Sequence, residues 1–127
     1  MEKGFLGAST FAAGRILPIS GAQVYVSQIK DGKEELLYSL ITDENGNTPV
    51  VSLDAPDIEL SESPGNIPPF SLYNMRVLKD GFFRTTIKDV QVFAQRITIQ
   101  NVDMVPLPEN TEGIDATNTF VVIPQNL

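Results

Sequence analysis

The sequence between residues 35 and 53 reads ELLYSLITDENGNTPVVSL, which is the pattern of two β-strands joined by a tight bend. Leu36, Tyr38 and Leu40 occupy alternate positions, so a strand places all three on one face. The dipeptide Asn45-Gly46 accepts the positive φ angles that a type I′ turn requires. We therefore expect a hairpin, with strands at residues 35–42 and 48–53.

The same bend is rich in oxygen-bearing side chains, which raises the alternative of a metal site. Counted from Asp43 as the first ligand, Asn45, Asn47 and Asp54 fall at the third, fifth and twelfth positions of an EF-hand calcium loop. An EF-hand has glycine at its sixth position and helices on both sides, whereas Gly46 is fourth and the flanks resemble strands. The turn is therefore favoured. A weak Ca²⁺ site formed by Asp43, Asn45, Asn47 and Asp54 remains the alternative, and no other cofactor is expected.

Short alternating segments continue along the chain, and nine prolines with nine glycines interrupt any helical periodicity. We expect strands at about residues 5–12, 22–29, 35–42, 48–53, 70–79, 82–88, 89–93, 96–105 and 119–123. The predicted fold is all-β, a seven- to nine-stranded Greek-key β-sandwich. Its predicted core positions are Ala22, Val24, Val26, Leu36, Tyr38, Leu40, Tyr73, Met75, Val77, Val90 and Val92.

One strand has a hydrophobic pattern that changes phase. Ile97 and Ile99 follow one alternation, whereas Val102 and Met104 follow the other. A β-bulge near Gln100 and Asn101 would bring both pairs to the same face. We therefore expect a bulge there.

The residue inventory excludes several catalytic classes. The chain of 127 residues has no histidine and no cysteine, so Ser-His-Asp chemistry, histidine-ligated zinc hydrolysis and cysteine nucleophiles are all ruled out. Transition-metal binding is not expected for the same reason. Carboxylate pairs such as Asp54 and Asp57 would need a cleft that a small sandwich seldom offers. We expect no enzymatic activity.

The net charge of −7 argues against nucleic acids and anionic membranes as partners. Nucleic acids and anionic membranes bind clustered lysine and arginine. Residues 34–75 contain eight acidic side chains and no basic one, whereas residues 76–96 contain five basic and two acidic ones. The N-terminal residues lack the apolar run of a signal peptide, so we expect synthesis in the cytoplasm.

Two segments depart from the strand pattern. Residues 54–69 hold four prolines and four acids, which predicts a long surface loop and a first place to look for a binding surface. We divide the chain into a β-sandwich at residues 1–108 and an extended tail at residues 109–127. The tail ends in a candidate assembly strand, which consists of Phe120, Val121, Val122 and Ile123. Such a strand can pair with its own sandwich or with a neighbour.

Four short motifs in register resemble the carboxypeptidase-regulatory-like domains of transthyretin-like fold. They are LPISGAQVYV at residues 17–26, TDENGNT at 42–48, YNMRV at 73–77 and DGFF at 80–83. The runs VQVF at 90–93 and QNVDMVPLPEN at 100–110 are similar to clostridial proteins in which such a domain stands alone or precedes peptidoglycan-binding and spore-cortex-hydrolysing modules. The resemblance implies a transthyretin-like sandwich and carries no catalytic residues.

These observations lead to two functional hypotheses. The first is a non-catalytic structural or attachment module that binds like subunits or a partner protein, as part of a filament, a spore or cell surface, or a phage-like particle. The second is a glycan- or peptidoglycan-binding accessory domain of a cell-wall or spore-cortex hydrolase system. Sugar sites usually need exposed aromatic rings, and the candidates are Tyr25, Phe70, Phe83 and Phe93.

Overall fold

The computed structural model describes residues 2–57 and 69–108, together with the backbone of residues 117–121. Within these residues the chain forms nine strands and no helix, which confirms the all-β interpretation. The strands are β1 (Glu2–Ala12), β2 (Leu17–Pro18), β3 (Gln23–Lys30), β4 (Lys33–Ile41), β5 (Val51–Ala55), β6 (Phe70–Leu78), β7 (Arg84–Phe93), β8 (Ile97–Asp103) and β9 (Thr117–Val121). No helix long and apolar enough to cross a membrane occurs in this part of the chain.

The strands form two sheets that pack as a β-sandwich. In sheet A, the central strand β1 pairs in parallel with β8 on one side, and with β5 and β2 in antiparallel fashion on the other. In sheet B the order is β4-β3-β6-β7-β9, and only the β7–β9 pair is parallel. The outer strands are therefore β8 on one edge of sheet A, β2 and β5 on its other edge, and β4 and β9 in sheet B.

The core lies between the inner faces of the two sheets. Alternate residues of β3, β6 and β7 face inward, and the predicted positions Ala22, Val24, Val26, Tyr73, Met75, Val77, Val90 and Val92 are all buried. Sheet A contributes Leu6 and Ala8 from β1, and Leu53 and Ala55 from β5. Burial of each large apolar side chain in such a core stabilises the fold by about 1.5–3 kcal/mol.

The predicted hairpin at Asn45-Gly46 is wrong, because the strands on either side of it belong to different sheets. Strand β4 pairs with β3 in sheet B, and β5 pairs with β1 in sheet A, so residues 42–50 cross from one sheet to the other. Gly46 has a φ of 80°, but Asn45 does not have a positive φ. The two successive positive φ angles of a type I′ turn occur instead at Asp31 and Gly32, between β3 and β4.

Leu36 is the one predicted core residue that lies outside the core. The register between β3 and β4 shifts after Val26, so that Val26 lies opposite Tyr38 but Ser27 lies opposite Leu36. This β-bulge reverses the alternation and leaves Leu36 59% exposed on the outer face. Leu37, Tyr38 and Leu40 pack partly against the core.

The bulge expected at Gln100 and Asn101 is also wrong. The register between β1 and β8 is unbroken from the pair Phe5–Ile97 to the pair Phe11–Asp103. Val102 and Met104 therefore face the core, and Ile97 and Ile99 stay on the outer face. Residues 84–93 form one strand rather than two, with a register shift and a positive φ at Asp89.

Candidate functional site

The bend at residues 42–47 is held closed by its own hydrogen bonds. The backbone N–H of Gly46 donates to the carbonyl oxygen of Asp43 at 2.9 Å. One carboxylate oxygen of Asp43 accepts the N–H groups of Asn45 and Asn47 at 2.9 and 3.0 Å. Asn47 in turn accepts a hydrogen bond from the Ser9 hydroxyl through its side-chain oxygen. These oxygens serve to shape the turn and to attach it to β1.

Buried hydroxyl groups join this bend to the connection before β3. The hydroxyl of Thr10 lies 2.8 Å from the carbonyl oxygen of Ile19 and 3.1 Å from that of Gly46. The hydroxyl of Thr42 donates to the same Ile19 oxygen, and it accepts the N–H of Ala22. Because both threonines are almost fully buried, these polar groups have no water to bind and depend on one another.

Asp54, the fourth candidate calcium ligand, lies on β5 and is paired with a lysine side chain. Its carboxylate forms an ion pair with the ammonium of Lys3 on the neighbouring strand β1. The Lys3 ammonium also donates a hydrogen bond to the Asp54 carboxylate. This hydrogen bond and the attraction between the two charges raise the pKa of Lys3 and lower the pKa of Asp54. The described residues contain no cluster of three or more Asp or Glu side chains that could hold a metal ion. The calcium site stays an untested prediction.

Asp54 also anchors a core tyrosine through its backbone. The hydroxyl of Tyr73 donates to the Asp54 carbonyl oxygen at 2.5 Å, and the Tyr38 hydroxyl donates to the Ser52 carbonyl oxygen at 2.8 Å. Burial raises the pKa of Tyr73, because the charged phenolate would lose its water. The two phenols therefore connect sheet B to β5 of sheet A.

The four candidate aromatic residues lie in different environments. Phe70 and Phe93 contact each other edge to face with ring centres 5.7 Å apart, and the guanidinium of Arg96 lies over the Phe93 ring. Phe83 is half-buried where the chain enters β7. Tyr25 lines a groove on the outer face of sheet B. The structure therefore groups Phe70 with Phe93 and separates both from Tyr25.

The groove beside Tyr25 has a volume of about 630 Å³ and crosses strands β3, β4, β6 and β7. Its lining residues are Tyr25, Glu34, Leu36, Arg76, Leu78, Arg84, Thr85 and Thr86. Arg76 forms an ion pair with Glu34 across the groove. The side chain of Arg84 makes no ion pair or hydrogen bond with any other residue that the structure describes.

The basic segment that contains Arg76 and Arg84 is visible in the sequence, but its pattern did not predict the groove. The alternation of β6 and β7 would have placed both arginines on the outer face of sheet B. Leu36 could not have been assigned to the groove from its sequence position, because the bulge after Val26 brings it there.

An apolar stripe lies on the outer face of sheet A, and we define it as Phe5, Val50, Ile97 and Ile99. Val50 is 46% exposed, Ile97 66% and Ile99 47%, and Phe5 is half-buried. Gly7 lies beneath the stripe, and a Cβ atom built on it would be 3.2 Å from both Ile99 Cδ1 and Val50 Cγ2. The stripe therefore extends across β8, β1 and the residue before β5.

The stripe borders an open edge of sheet A. Among the described residues, β8 pairs only with β1, so its other side has no strand partner there. On β8 itself, the side-chain amide of Gln100 donates to the carbonyl oxygen of Asn101 at 3.0 Å. The candidate assembly strand is placed at the edge of sheet B: residues Thr117–Val121 pair in parallel with Arg84–Lys88 of the same chain. Of the four predicted strand residues, Phe120 and Val121 belong to β9, and Val122 and Ile123 lie outside the described residues.

No protein-family model matches the sequence, and no curated protein is similar enough to count as a match. Several solved structures share the fold, among them the following three. The Bacillus anthracis TIE protein matches 84% of this chain with a TM-score of 0.54 and 14% identity, over 17% of its own chain. Catechol 1,2-dioxygenase from Acinetobacter sp. ADP1, in a form inhibited by bound mercury, matches 95% with a TM-score of 0.56 and 16% identity, over 58% of its chain. GBS52, the minor pilin of Streptococcus agalactiae, matches 87% with a TM-score of 0.51 and 12% identity, over 47% of its chain.

These likenesses concern the fold alone, because every identity is low and the chain spans between 17% and 58% of the chains that it matches. They are consistent with a transthyretin-like or immunoglobulin-like β-sandwich. One of the three proteins is a pilin and another is an enzyme. The fold by itself therefore does not decide whether the chain has catalytic activity.

Proposed function

We propose that this protein is a non-catalytic structural or attachment module that associates with like subunits or with a partner protein. The observation that carries the proposal is the apolar stripe of Phe5, Val50, Ile97 and Ile99 beside the open edge of β8. A soluble β-protein normally protects its sheet edges with charges, proline or a covering segment. An edge flanked by exposed isoleucines is instead suited to contact with another chain.

The structural neighbours support this proposal in general terms. A minor pilin and the TIE protein share the sandwich, and a minor pilin is a subunit of a surface assembly. By analogy we propose a surface or particle location, such as a cell surface, a spore surface or a phage-like particle. The resemblance to carboxypeptidase-regulatory-like domains of clostridial proteins supports the spore alternative.

The placement of β9 is relevant to how such an assembly would form. Residues Thr117–Val121 occupy the β7 edge of their own sheet, and an edge strand of this kind can be exchanged for the same strand of a neighbour. We therefore include this strand as a second candidate contact. The stripe on sheet A remains the first, because its side chains are exposed in the folded protein.

The experiment compares the wild-type protein with Ile99→Lys by size-exclusion chromatography with light scattering and by negative-stain microscopy. Lysine can lay its aliphatic stem over Gly7 while its ammonium stays in water, so the fold should survive. We expect the wild type to associate and Ile99→Lys to remain monomeric. Ile16→Lys is the matched control, because Ile16 is 77% exposed but lies outside the stripe. A wild type that stays strictly monomeric at high concentration and low salt would count against the proposal.

A second candidate function is glycan or peptidoglycan binding. The observation that favours it is the position of Tyr25 in the groove with Arg76 and Arg84, because an aromatic face beside cationic donors suits an acidic sugar or its peptide. Sedimentation with purified cell wall tests it. Retention that is lost in Tyr25→Ala, but kept in Phe93→Ala, would support this function, and no retention of the wild type would eliminate it.

A further inference from the structure

The groove on the outer face of sheet B has an unbalanced positive charge. Within it, Arg76 is neutralised by Glu34, but Arg84 has no ionic partner among the described residues. Leu36, Leu78 and Tyr25 supply apolar surface between the charged groups. A cation on an apolar floor favours a ligand that combines a carboxylate with aliphatic side chains, and arginine binds carboxylates in a fixed two-pronged geometry.

The chain itself contains a segment of this composition. Residues 58–68 read IELSESPGNIP, with Glu59 and Glu62 three positions apart, aliphatic residues between and beside them, and no lysine or arginine. The groove and this segment are therefore complementary in charge and in hydrophobicity.

The segment is attached at the end of the sandwich that is remote from Arg84. It follows β5 and precedes Phe70, and Phe70 pairs with Phe93 at one end of sheet B. Arg84 is level with the other end of β6, eight residues from Phe70, which corresponds to about 26 Å along the strand. The segment is joined to described residues at Asp57 and Pro69. A segment of this length that is fixed at both ends can extend only about 20 Å from them. Glu59 is only two residues after Asp57, so the distance that it can extend from Asp57 is much shorter.

We infer that the groove binds residues 58–68 of a second copy of this chain, with Arg84 pairing to Glu59 or Glu62. This inference rests on the proposed assembly function and specifies one of its contacts. Because Phe70, which follows the segment, lies at the end of sheet B that is remote from Arg84, the contact is head-to-tail. A repeated head-to-tail contact generates an open filament or a ring rather than a closed pair.

The test uses charge reversal on each side of the contact. Arg84→Glu and the double variant Glu59→Arg, Glu62→Arg should each lower the association constant at least about tenfold, because each creates repulsion between like charges. Lys88→Glu is the matched control, since Lys88 is exposed on the same strand but does not line the groove. Circular dichroism and thermal melting confirm that each variant is folded.

Mixing the two defective variants provides the decisive measurement. In an equimolar mixture, each groove meets a segment of opposite charge, so light scattering should recover the assembly seen for the wild type. Assembly should also weaken between about 50 mM and about 500 mM NaCl, because salt screens exposed charges. If the wild type assembles and Arg84→Glu assembles as well as Lys88→Glu does, or if the mixture does not recover, the inference is overturned.

A separate binding measurement distinguishes this inference from the proposed function. A fluorescent peptide of residues 56–68 is titrated with the folded protein of 127 residues and followed by anisotropy. Saturable binding that Arg84→Glu weakens about tenfold supports the groove contact even if the wild type does not assemble. Absence of peptide binding overturns the inference, while assembly that depends on Ile99 would leave the proposed function intact.

Discussion

The hydroxyl of Thr42 donates a hydrogen bond of 2.7 Å to the carbonyl oxygen of Ile19. The same hydroxyl oxygen accepts the backbone N–H of Ala22 at 2.9 Å, and the Thr42 side chain is almost fully buried. One side chain thus satisfies two backbone groups at the point where the chain leaves sheet B for sheet A. The bend that resembles a calcium loop in sequence is therefore organised by hydrogen bonds within the protein.

Substitution of Thr42 by valine should destabilise the protein. Valine keeps the shape of threonine but leaves the N–H of Ala22 buried without its acceptor, which costs about 1–3 kcal/mol. Urea denaturation followed by circular dichroism measures the free energy of unfolding. A loss below about 0.5 kcal/mol would show that this hydrogen bond is not required for stability.

Substitution of Thr85 by valine should have the opposite result. The Thr85 side chain is also buried, but its hydroxyl oxygen has no hydrogen-bond partner among the described residues. Removing an unpaired buried hydroxyl is neutral or stabilises the fold by up to about 1 kcal/mol. The same urea titration compares the two valine variants directly. A clear destabilisation by Thr85→Val would contradict the finding that the Thr85 hydroxyl is buried without a hydrogen-bond partner among the described residues.

Gly4→Ala should destabilise the protein far more than Gly7→Ala, although both glycines lie on β1. A Cβ atom at Gly4 would lie 2.4 Å from the carbonyl oxygen of Phe93 and 2.5 Å from Val92 Cγ1, so the backbone itself must move. We expect a loss of about 3 kcal/mol for Gly4→Ala. At Gly7 the nearest atoms are the ends of two side chains, which can shift. Equal effects on the thermal melting temperature would refute this difference.

The Lys3–Asp54 ion pair should contribute to stability only within a window of pH. The pKa of Asp54 is lowered in the folded state, so its contribution is present above the usual carboxyl range and is lost as the pH falls through the folded value. The pKa of Lys3 is raised, so its contribution is lost as the pH rises through the folded lysine value. Both side chains are more than half exposed, and the effect should be small and sensitive to salt.

Lys3→Met tests this dependence. The difference in unfolding free energy between the wild type and Lys3→Met should be constant near neutral pH and should shrink below about pH 4 and above about pH 10. Lys33→Met serves as the control, because Lys33 is an exposed lysine with no ion pair in the described structure. A difference that is independent of pH would mean that Lys3 acts through packing.

Calcium should not stabilise the protein. Asp43 and Asn47 already use side-chain oxygens in hydrogen bonds, and Asp54 is paired with Lys3. Thermal melting in about 1 mM CaCl₂ should therefore match melting in EDTA, since even weak calcium modules bind near that concentration. A rise in melting temperature that disappears in Asp43→Asn would establish the calcium site that the oxygen spacing indicated.

Several features of the fold could be deduced from the sequence because they depend on local patterns. The alternation of Val24 with Val26, and of Tyr73 with Met75, identified strands and their buried faces, because successive side chains of a strand point to opposite sides. The lack of histidine and cysteine limited the available chemistry before any fold was known. The acidic and basic segments were likewise visible as stretches of the chain.

Other features depended on which strands become neighbours, and only the tertiary structure decided them. The bulge after Val26 turned Leu36 outward, and the unbroken register of β1 with β8 left Ile97 and Ile99 outside. Asn45-Gly46 has the composition of a hairpin turn, yet the strands on either side of it pair with other strands, β4 with β3 in sheet B and β5 with β1 in sheet A. Local sequence determines that a strand forms and which of its residues alternate. The pairing of strands that are far apart in the chain determines which face of each strand meets the core, because that pairing minimises the exposed apolar surface of the whole molecule.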